Sequence, residues 1–368
     1  MIFRILIRIL KGFLMVTGIM SLVKCSQNIK TVNGKTVFYG KEITDSNFVI
    51  LNESFAKDNI QAYYKSYLIE GSDPKTFEAI NEHYAKDKNA IYYCDEYREG
   101  KNYFTTKNRI INVITGAHHD SFKVLDYGFA IDDQKAYFNG NSFKIEDPST
   151  FEVIDFHFCK DQKYAYFNTK PIQGVDGKSF LLLNDHYAQD KDHYFYFGGV
   201  GALDPHPQVI TDRSLSLELL NYPFSKTQKA VYFETKIIKN LDPASAEVIG
   251  SGYIKDNKKV YCEIKEILNA DPTSFTIPDQ VQAYGDSRFY AIDKNSAYYS
   301  FNKIEGVDIQ SFELVGLDYS KDKNHVYFRT QKVNKADPKT FEVYNHGAGD
   351  EDAKDISNTY KRGVIVGK

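Results

Sequence analysis

The chain has 368 residues, with 46 Lys+Arg against 49 Asp+Glu, a formal charge of −3 and 42% apolar residues. That is globular rather than disordered, and without a basic balance it excludes nucleic acid as a general partner, because phosphate binding needs a basic face. Aromatic usage is lopsided, 28 Tyr and 26 Phe with no Trp and 3 Met, and Tyr and Phe favour the pleated, half-buried surfaces of strands.

Residues 1–24 read MIFRILIRILKGFLMVTGIMSLVK. Basic residues lead and the apolar run Gly12–Val23 follows, which is the order of a signal peptide. Its 12 residues are short for a membrane span unless the preceding Ile and Leu positions join it. Arg4, Arg8, Lys11 and Lys24 are the charged residues here, so taking these four positive charges from −3 leaves a mature chain at −7. Leu22-Val23-Lys24-Cys25 resembles a bacterial lipoprotein signal, in which the Cys is lipidated, although Lys24 stands where a small residue is expected. The reading is export to the cell envelope with Cys25 as a lipid anchor. An uncleaved N-terminal membrane anchor, or a chain that stays inside, are the alternatives. Cys94, Cys159 and Cys262 form no C-x-x-C pair, so they indicate neither a disulfide framework nor a zinc site and are expected as small buried apolar residues.

From residue 33 to 346 the chain repeats itself. Asp58, Asp87, Asp132, Asp161, Asp190, Thr227, Asp256, Asp293 and Asp322 occupy equivalent anchor positions, spaced by 29 residues with three insertions. Five residues after each anchor stands an aromatic residue: Tyr63, Tyr92, Tyr137, Tyr166, Phe195, Tyr232, Tyr261, Tyr298 and Tyr327. At plus six, eight of nine are aromatic and the ninth is Cys262. Plus fifteen is Asp in seven of nine units (Asp73, Asp147 and Asp337 among them) and plus nineteen is Phe in six of nine. Residues 347–368 lie beyond the pattern and read as a polar C-terminal tail.

Asp322-Lys323-Asn324 with Tyr327-Phe328, Asp87-Lys88-Asn89 with Tyr92-Tyr93, Asp293-Lys294-Asn295 with Tyr298-Tyr299, and the Asp-Pro-Lys-Thr-Phe-Glu runs at 73–78 and 337–342 resemble the DKNYY repeat family of bacterial proteins. The resemblance spans most of the chain. It implies an exported protein; it implies no activity, cofactor or catalytic residue.

Asp-Lys-Asn is turn chemistry, since Asp bonds backbone two residues on and Asn tolerates left-handed angles. The segment after it predicts a short strand, Gly or Asn near plus eight (Gly140 and Asn141) a hairpin, and Lys-x-Ile/Val a second strand. Asp-Pro-x-Thr-Phe predicts a capped helical step, with Phe-Glu-Val opening a third strand. Each unit is thus expected as a three-stranded antiparallel piece that buries its faces only by stacking. The predicted fold is all-β: nine to ten tandem units in an elongated, solenoid-like array, with a closed β-propeller-like array as the alternative. Plus four is Ala, Val or Ile in eight of nine units and shares a face with plus six, so the tyrosines at plus five point the other way. They form a ladder, Tyr63, Tyr92, Tyr137, Tyr166, Tyr232, Tyr261, Tyr298 and Tyr327. It is read either as a second packed layer with hydroxyls bonded to a neighbouring repeat, or as an exposed aromatic strip for sugars or a protein.

The sequence offers no catalytic constellation. His118-His119-Asp120 and the pair His186 and His193 match no close metal-ligand set. The Asp columns lack the alternating ligands of a calcium loop, and Gly198-Gly199-Val200-Gly201 is not a phosphate loop. No cofactor is expected. The leading expectation is a non-catalytic envelope repeat protein whose extended β surface binds a protein or glycan, with membrane attachment through its N-terminus. Its specificity is expected in the insertions at Glu96–His118, Asp204–Leu219 and Thr276–Tyr290, because loops on rigid scaffolds carry function. An exported hydrolase of envelope polysaccharide, with a cleft framed by those insertions, and a purely structural spacer are the alternatives.

Overall fold

The computed structural model describes residues 29–32, 35–44, 46–98, 100, 104, 107–198, 207–279, 289–344 and 350–367. They form strands and short 3-10 turns only, in eleven small antiparallel sheets, nine of four strands and two of three. Contacts divide the chain into two compact units, Met1–Lys178 and Ser179–Lys368. The first holds five of the sheets and the second six.

Every sheet is a meander in which each strand pairs with the next in sequence. In the sheet that begins at Val49, Val49–Ile50 pairs with Phe55–Lys57, that strand with Ala62–Tyr64, and that with Tyr67–Ile69. This corrects the expected three strands. The segment from Phe-Glu-Val to the next anchor is a hairpin of two strands, and with strands of two or three residues four of them fit a 29-residue period. Its turn is built by an Asx residue six before the anchor. Asn52 Oδ1 accepts from Ser54 N and Phe55 N at 2.9 and 2.8 Å, and Asn81, Asp155 and Asn184 repeat the arrangement. In the sheet at Tyr290–Lys303 the first strand is reduced to a single bridge between Thr276 and Ile292.

The hairpin after plus six turns on left-handed backbone. Asn139 and Gly140 have φ of 47° and 76°, the signature of a two-residue type I′ turn, one residue earlier than expected. Gly140 is also a close approach. A Cβ there would lie 2.5 Å from Tyr93 Cβ of the preceding sheet.

Within each unit, successive sheets stack face to face in a solenoid-like arrangement. One face of a sheet offers the residues at minus three, plus four and plus six; the next sheet answers with those at minus two and plus five. Phe55, Ala62 and Tyr64 thus pack with Ala85 and Tyr92, and Phe129 and Ala136 with Cys159 and Tyr166. In the second unit Tyr253, Val260 and Cys262 pack with Ala291 and Tyr298, and Tyr319 and Val326 with Ala353 and Tyr360. Minus three is aromatic in all nine units, from Phe55 to Tyr319, and buried in every one. Minus two is Ala, Cys or Ser in eight of nine units, which leaves room beside it for the large ring of plus five, as interdigitated layers require. Cys94, Cys159 and Cys262 are free and buried in these layers.

The segment read as a polar tail is not one. Ala353–Lys354, Thr359–Lys361 and Val364–Gly367 join Glu342–Val343 in a complete fourth-strand meander. Asp355 is its anchor and Tyr360 its plus-five tyrosine, with the hydroxyl 2.7 Å from Asp355 Oδ2. The spacing of 33 from Asp322 hid it.

Candidate interaction surface

The tyrosine ladder lies inside. Tyr63, Tyr92, Tyr137, Tyr166, Tyr232, Tyr261, Tyr298 and Tyr327 are all at most 5% exposed, so the exposed-strip reading is corrected. Strand alternation does turn them away from plus four and plus six. The preceding sheet covers that second face, so both faces of a stacked sheet are core.

Their hydroxyls show why Asp and Tyr recur together. Tyr92, Tyr137, Tyr166, Tyr298 and Tyr327 donate to Oδ2 of their own anchors at 2.8, 2.6, 2.7, 2.8 and 2.9 Å. The carboxylate bond is within the unit, and some hydroxyls also reach the preceding repeat, as Tyr327 does to Gly306 O at 3.2 Å and Tyr261 to Lys239 O at 3.0 Å. The same carboxylate ties the turn and the incoming connection. Asp87 Oδ1 accepts from Asn89 N and Ala90 N at 2.8 and 2.9 Å, while Oδ2 also accepts from Asp73 N at 2.6 Å. Asp256, Asp293, Asp322 and Asp355 take the equivalent N–H of Asp242, Asp271, Asp308 and Asp337. Burial pushes the carboxyls of Asp87, Asp132, Asp161 and Asp322 up, but the converging N–H and O–H donors outweigh it and hold them below the ordinary carboxylate range. The partner tyrosines move the other way. Burial first, and the adjacent carboxylate second, raise Tyr92, Tyr137, Tyr166, Tyr298 and Tyr327.

The Asp-Pro step completes the knot. Asp147 accepts from Ser149 N as the cap of a 3-10 turn at Pro148–Thr150, and Thr150 Oγ1 accepts from Gln162 N at 2.9 Å. Asp73, Asp271 and Asp308 pair with the lysine just after the next anchor, Lys88, Lys294 and Lys323, at 2.8, 2.9 and 2.6 Å. The lysine before the anchor crosses to the Glu of the first strand, as in Lys321–Glu313 at 3.1 Å. Thr227 breaks the pattern. Its Oγ1 accepts from Lys229 N and Ala230 N at 3.2 Å each, without a carboxylate.

His118, His119 and His186 are tied up locally. His118 Nδ1 lies 2.6 Å from Asp133, His119 Nε2 is 2.5 Å from Asp87 O, and His186 stacks on Tyr222 at 3.9 Å with its Nδ1 2.7 Å from Gly198 O. No cluster of His, Cys, Asp and Glu suited to a metal occurs among the described residues.

What faces solvent is the edges and tips of the sheets. In the first unit a groove of about 530 Å³ runs past the opening hairpins of three successive sheets, lined by Ile80, Asn81, Val124, Leu125, Asp126, Phe151 and Val153. Tyr127 and Phe156, both five before an anchor, are exposed at such tips, as is Tyr222 in the second unit. Three units carry an aromatic ring at this position; the others carry Glu53, Glu82, Asp185, Ser251, Arg288 and Leu317, so the rings do not show as a repeat column. The Glu96–His118 insertion lengthens one hairpin, with Ile91–Tyr97 paired to Asn108–Val113. In the Asp204–Leu219 insertion Gln208–Asp212 is a fourth strand. Most of Thr276–Tyr290, Gly199-Val200-Gly201, residues 1–24 and Cys25 lie outside the described residues.

No helix among the described residues is long and apolar enough to cross a membrane. Neither a curated protein nor a solved structure matches the chain. The DKNYY family matches over residues 9–96, 97–200 and 224–363. With those matches covering most of the sequence, and with Asp, Tyr and Asp-Pro joined in one repeated knot, the chain belongs to the DKNYY family.

Proposed function

We propose that this protein is a non-catalytic repeat protein of the bacterial cell envelope that binds a protein or glycan through its sheet edges and hairpin tips. Residues 1–24, or a lipid on Cys25, would hold it at the membrane. One observation carries the reading. The residues that recur, anchor Asp, plus-five Tyr and Asp-Pro-x-Thr, are spent on one another within and between successive units, for example in Tyr137 to Asp132 at 2.6 Å and Asp73 N to Asp87 at 2.6 Å. The residues that differ between units, such as Tyr127, Phe156 and, in the lengthened hairpin, Tyr97 and Val113, face solvent. A repeat that keeps its common residues for assembly and its variable ones for the surface is organised for recognition.

The test is capture of envelope proteins and glycans by the purified chain, repeated with Tyr127→Ser and Phe156→Ser together. Loss of a captured species with unchanged thermal stability supports the reading. Polysaccharide cleavage by the wild-type chain would replace it with the hydrolase alternative. Mass spectrometry of the mature N-terminus tests attachment, a diacylated Cys25 being the expected result.

A further inference from the structure

Of the ten anchors from Asp58 to Asp355, nine are Asp and one is Thr227. Asp87 accepts from the turn N–H groups two and three residues on at 2.8 and 2.9 Å, and Asp322 does so at 2.7 Å each. At Thr227 the same two groups, Lys229 N and Ala230 N, meet Oγ1 at 3.2 Å. A hydroxyl has no second oxygen to take the tyrosine O–H and the incoming N–H. Arg213, fourteen before this anchor, turns its N–H to Asp192 O at 2.9 Å instead. The bond beside the anchor is missing too. Lys88 N, Gln162 N and Lys323 N donate to the hydroxyl of a Thr or Ser twelve residues earlier at 3.0, 2.9 and 3.1 Å. Gln228 N and Ser216, at the same spacing, are not joined among the described residues.

These changes leave donors around a pocket. Ser216, Glu218, Lys226, Thr227 and Gln228 line a volume of about 430 Å³. Glu218 is matched by Lys226, whose Nζ lies 3.7 Å from its carboxylate. Tyr232 is 5% exposed, yet its hydroxyl has no hydrogen-bond partner among the described residues. Buried polar groups are rarely left so, because an unmet one costs stability. Tyr232 pairs with Ser225 and Ile237 as Tyr166 pairs with Cys159 and Pro171. The register that brings the Tyr166 hydroxyl to 2.7 Å from Asp161 thus directs the Tyr232 hydroxyl toward Thr227.

We propose that the unit anchored at Thr227 binds a carboxylate from outside the chain, seated where the other units seat their own. The class of ligand follows from the repeat itself. Against the same turn and the same tyrosine position, every other anchor holds a carboxylate, and in five of them the tyrosine hydroxyl donates to it. Tyr232 offers an O–H, Gln228 a backbone N–H, and Ser216 and Thr227 hydroxyls. A carboxylate answers such a set because it only accepts and has two oxygens. Successive N–H groups in a turn form a concavity suited to an anion, and bonds to an ionised oxygen are stronger than those to a neutral one. The pocket is wider than the group, so it admits what carries the carboxylate, a small free acid or the C-terminus of a peptide.

The experiment is NMR line broadening of carbon-13 acetate by the full chain in detergent at pH 7, with chloride holding the ionic strength constant. Wild type is expected to broaden the acetate line with a Kd on the order of 10 mM. Thr227→Asp fills the place with the chain's own carboxylate and is expected to weaken binding by at least about tenfold. Tyr232→Phe keeps the ring, removes one donor, and is expected to weaken it by about threefold or more. Melting curves confirm that both variants fold. N-acetylglycine, which ends as a peptide does, is the second probe. Tighter binding than acetate assigns a peptide C-terminus, and equal or weaker binding assigns a free small acid. An acetate line unchanged by wild type at about 100 mM acetate, well above such a Kd, overturns the proposal. So does binding indifferent to Thr227→Asp or to Tyr232→Phe, because the acetate would then sit elsewhere.

Discussion

At the scale of single residues, the repeat is a chain of buried carboxylates each saturated by donors. An anchor Asp buried without its tyrosine would still hold three N–H donors, but a lone pair would be left unmet. Tyr137→Phe, which removes only the hydroxyl 2.6 Å from Asp132, is expected to destabilise the protein by about 1–3 kcal/mol in urea melts with an unchanged m-value. Thr227 offers the converse. Its neighbours already present the turn N–H groups and a buried Tyr232, so Thr227→Asp is expected to raise the urea midpoint by about 0.5–1.5 kcal/mol of stability. A lower midpoint would show that the altered connection before this anchor no longer supplies the donors a buried carboxylate needs.

The element that sets the geometry is the hairpin, of which every sheet has two or three in succession. Asn139–Gly140 shows how little room the stacking leaves, because the turn of one sheet touches the plus-six ring of the sheet before it. Gly140→Ala meets both a φ of 76° and a Cβ contact of 2.5 Å with Tyr93. The expected cost is about 2–4 kcal/mol, read as a fall in Tm. The cysteines report the same layers chemically. Burial pushes the Cys94 thiol up to about 12 and Cys159 higher still. Both should resist a thiol reagent at pH 8 in the native protein and react once it is unfolded. Alternation in the sequence marked each strand and its two faces. It did not reveal that the run before each anchor is two strands, because pieces as short as Glu152–Val153 and Phe158–Lys160 leave no period to read.

At the scale of the molecule, stability follows pH from both ends. Asp87, Asp132, Asp161 and Asp322 have pKa values below the ordinary 3.8 when folded. Below about pH 5 the unfolded chain takes up protons that the native carboxylates refuse, so their contribution, full at neutral pH, declines as pH falls through 4 and below. Acid unfolding is expected to be steep there, measured by circular dichroism. At the alkaline end burial lifts Tyr84, Tyr261 and Tyr360 to about 12 from 10. Their contribution is present below pH 10 and is lost between 10 and 12. Tyrosinate absorbance should therefore rise with unfolding rather than before it. Deleting residues 350–368 tests the closing sheet. Tyr319, Val326 and Phe341 pack against Ala353 and Tyr360, so the truncated chain is expected to lose several degrees of Tm and to bind a hydrophobic dye; a dispensable tail would change neither.

By itself the sequence determined the strand-rich class, the repeat, the anchor positions and the two faces of each strand. These depend on local turn chemistry and on alternation, which are written in residue order. It also placed Tyr92 and its equivalents on the face opposite the Ala, Val or Ile at plus four. Only the tertiary structure decided that this opposite face is core, because what covers a strand is the next sheet and no periodicity within a strand records that neighbour. For the same reason the last unit looked like a polar tail. Asp355 and Tyr360 are one anchor and one tyrosine without their period, and they become a repeat only where they close the cluster of Tyr319 and Phe341.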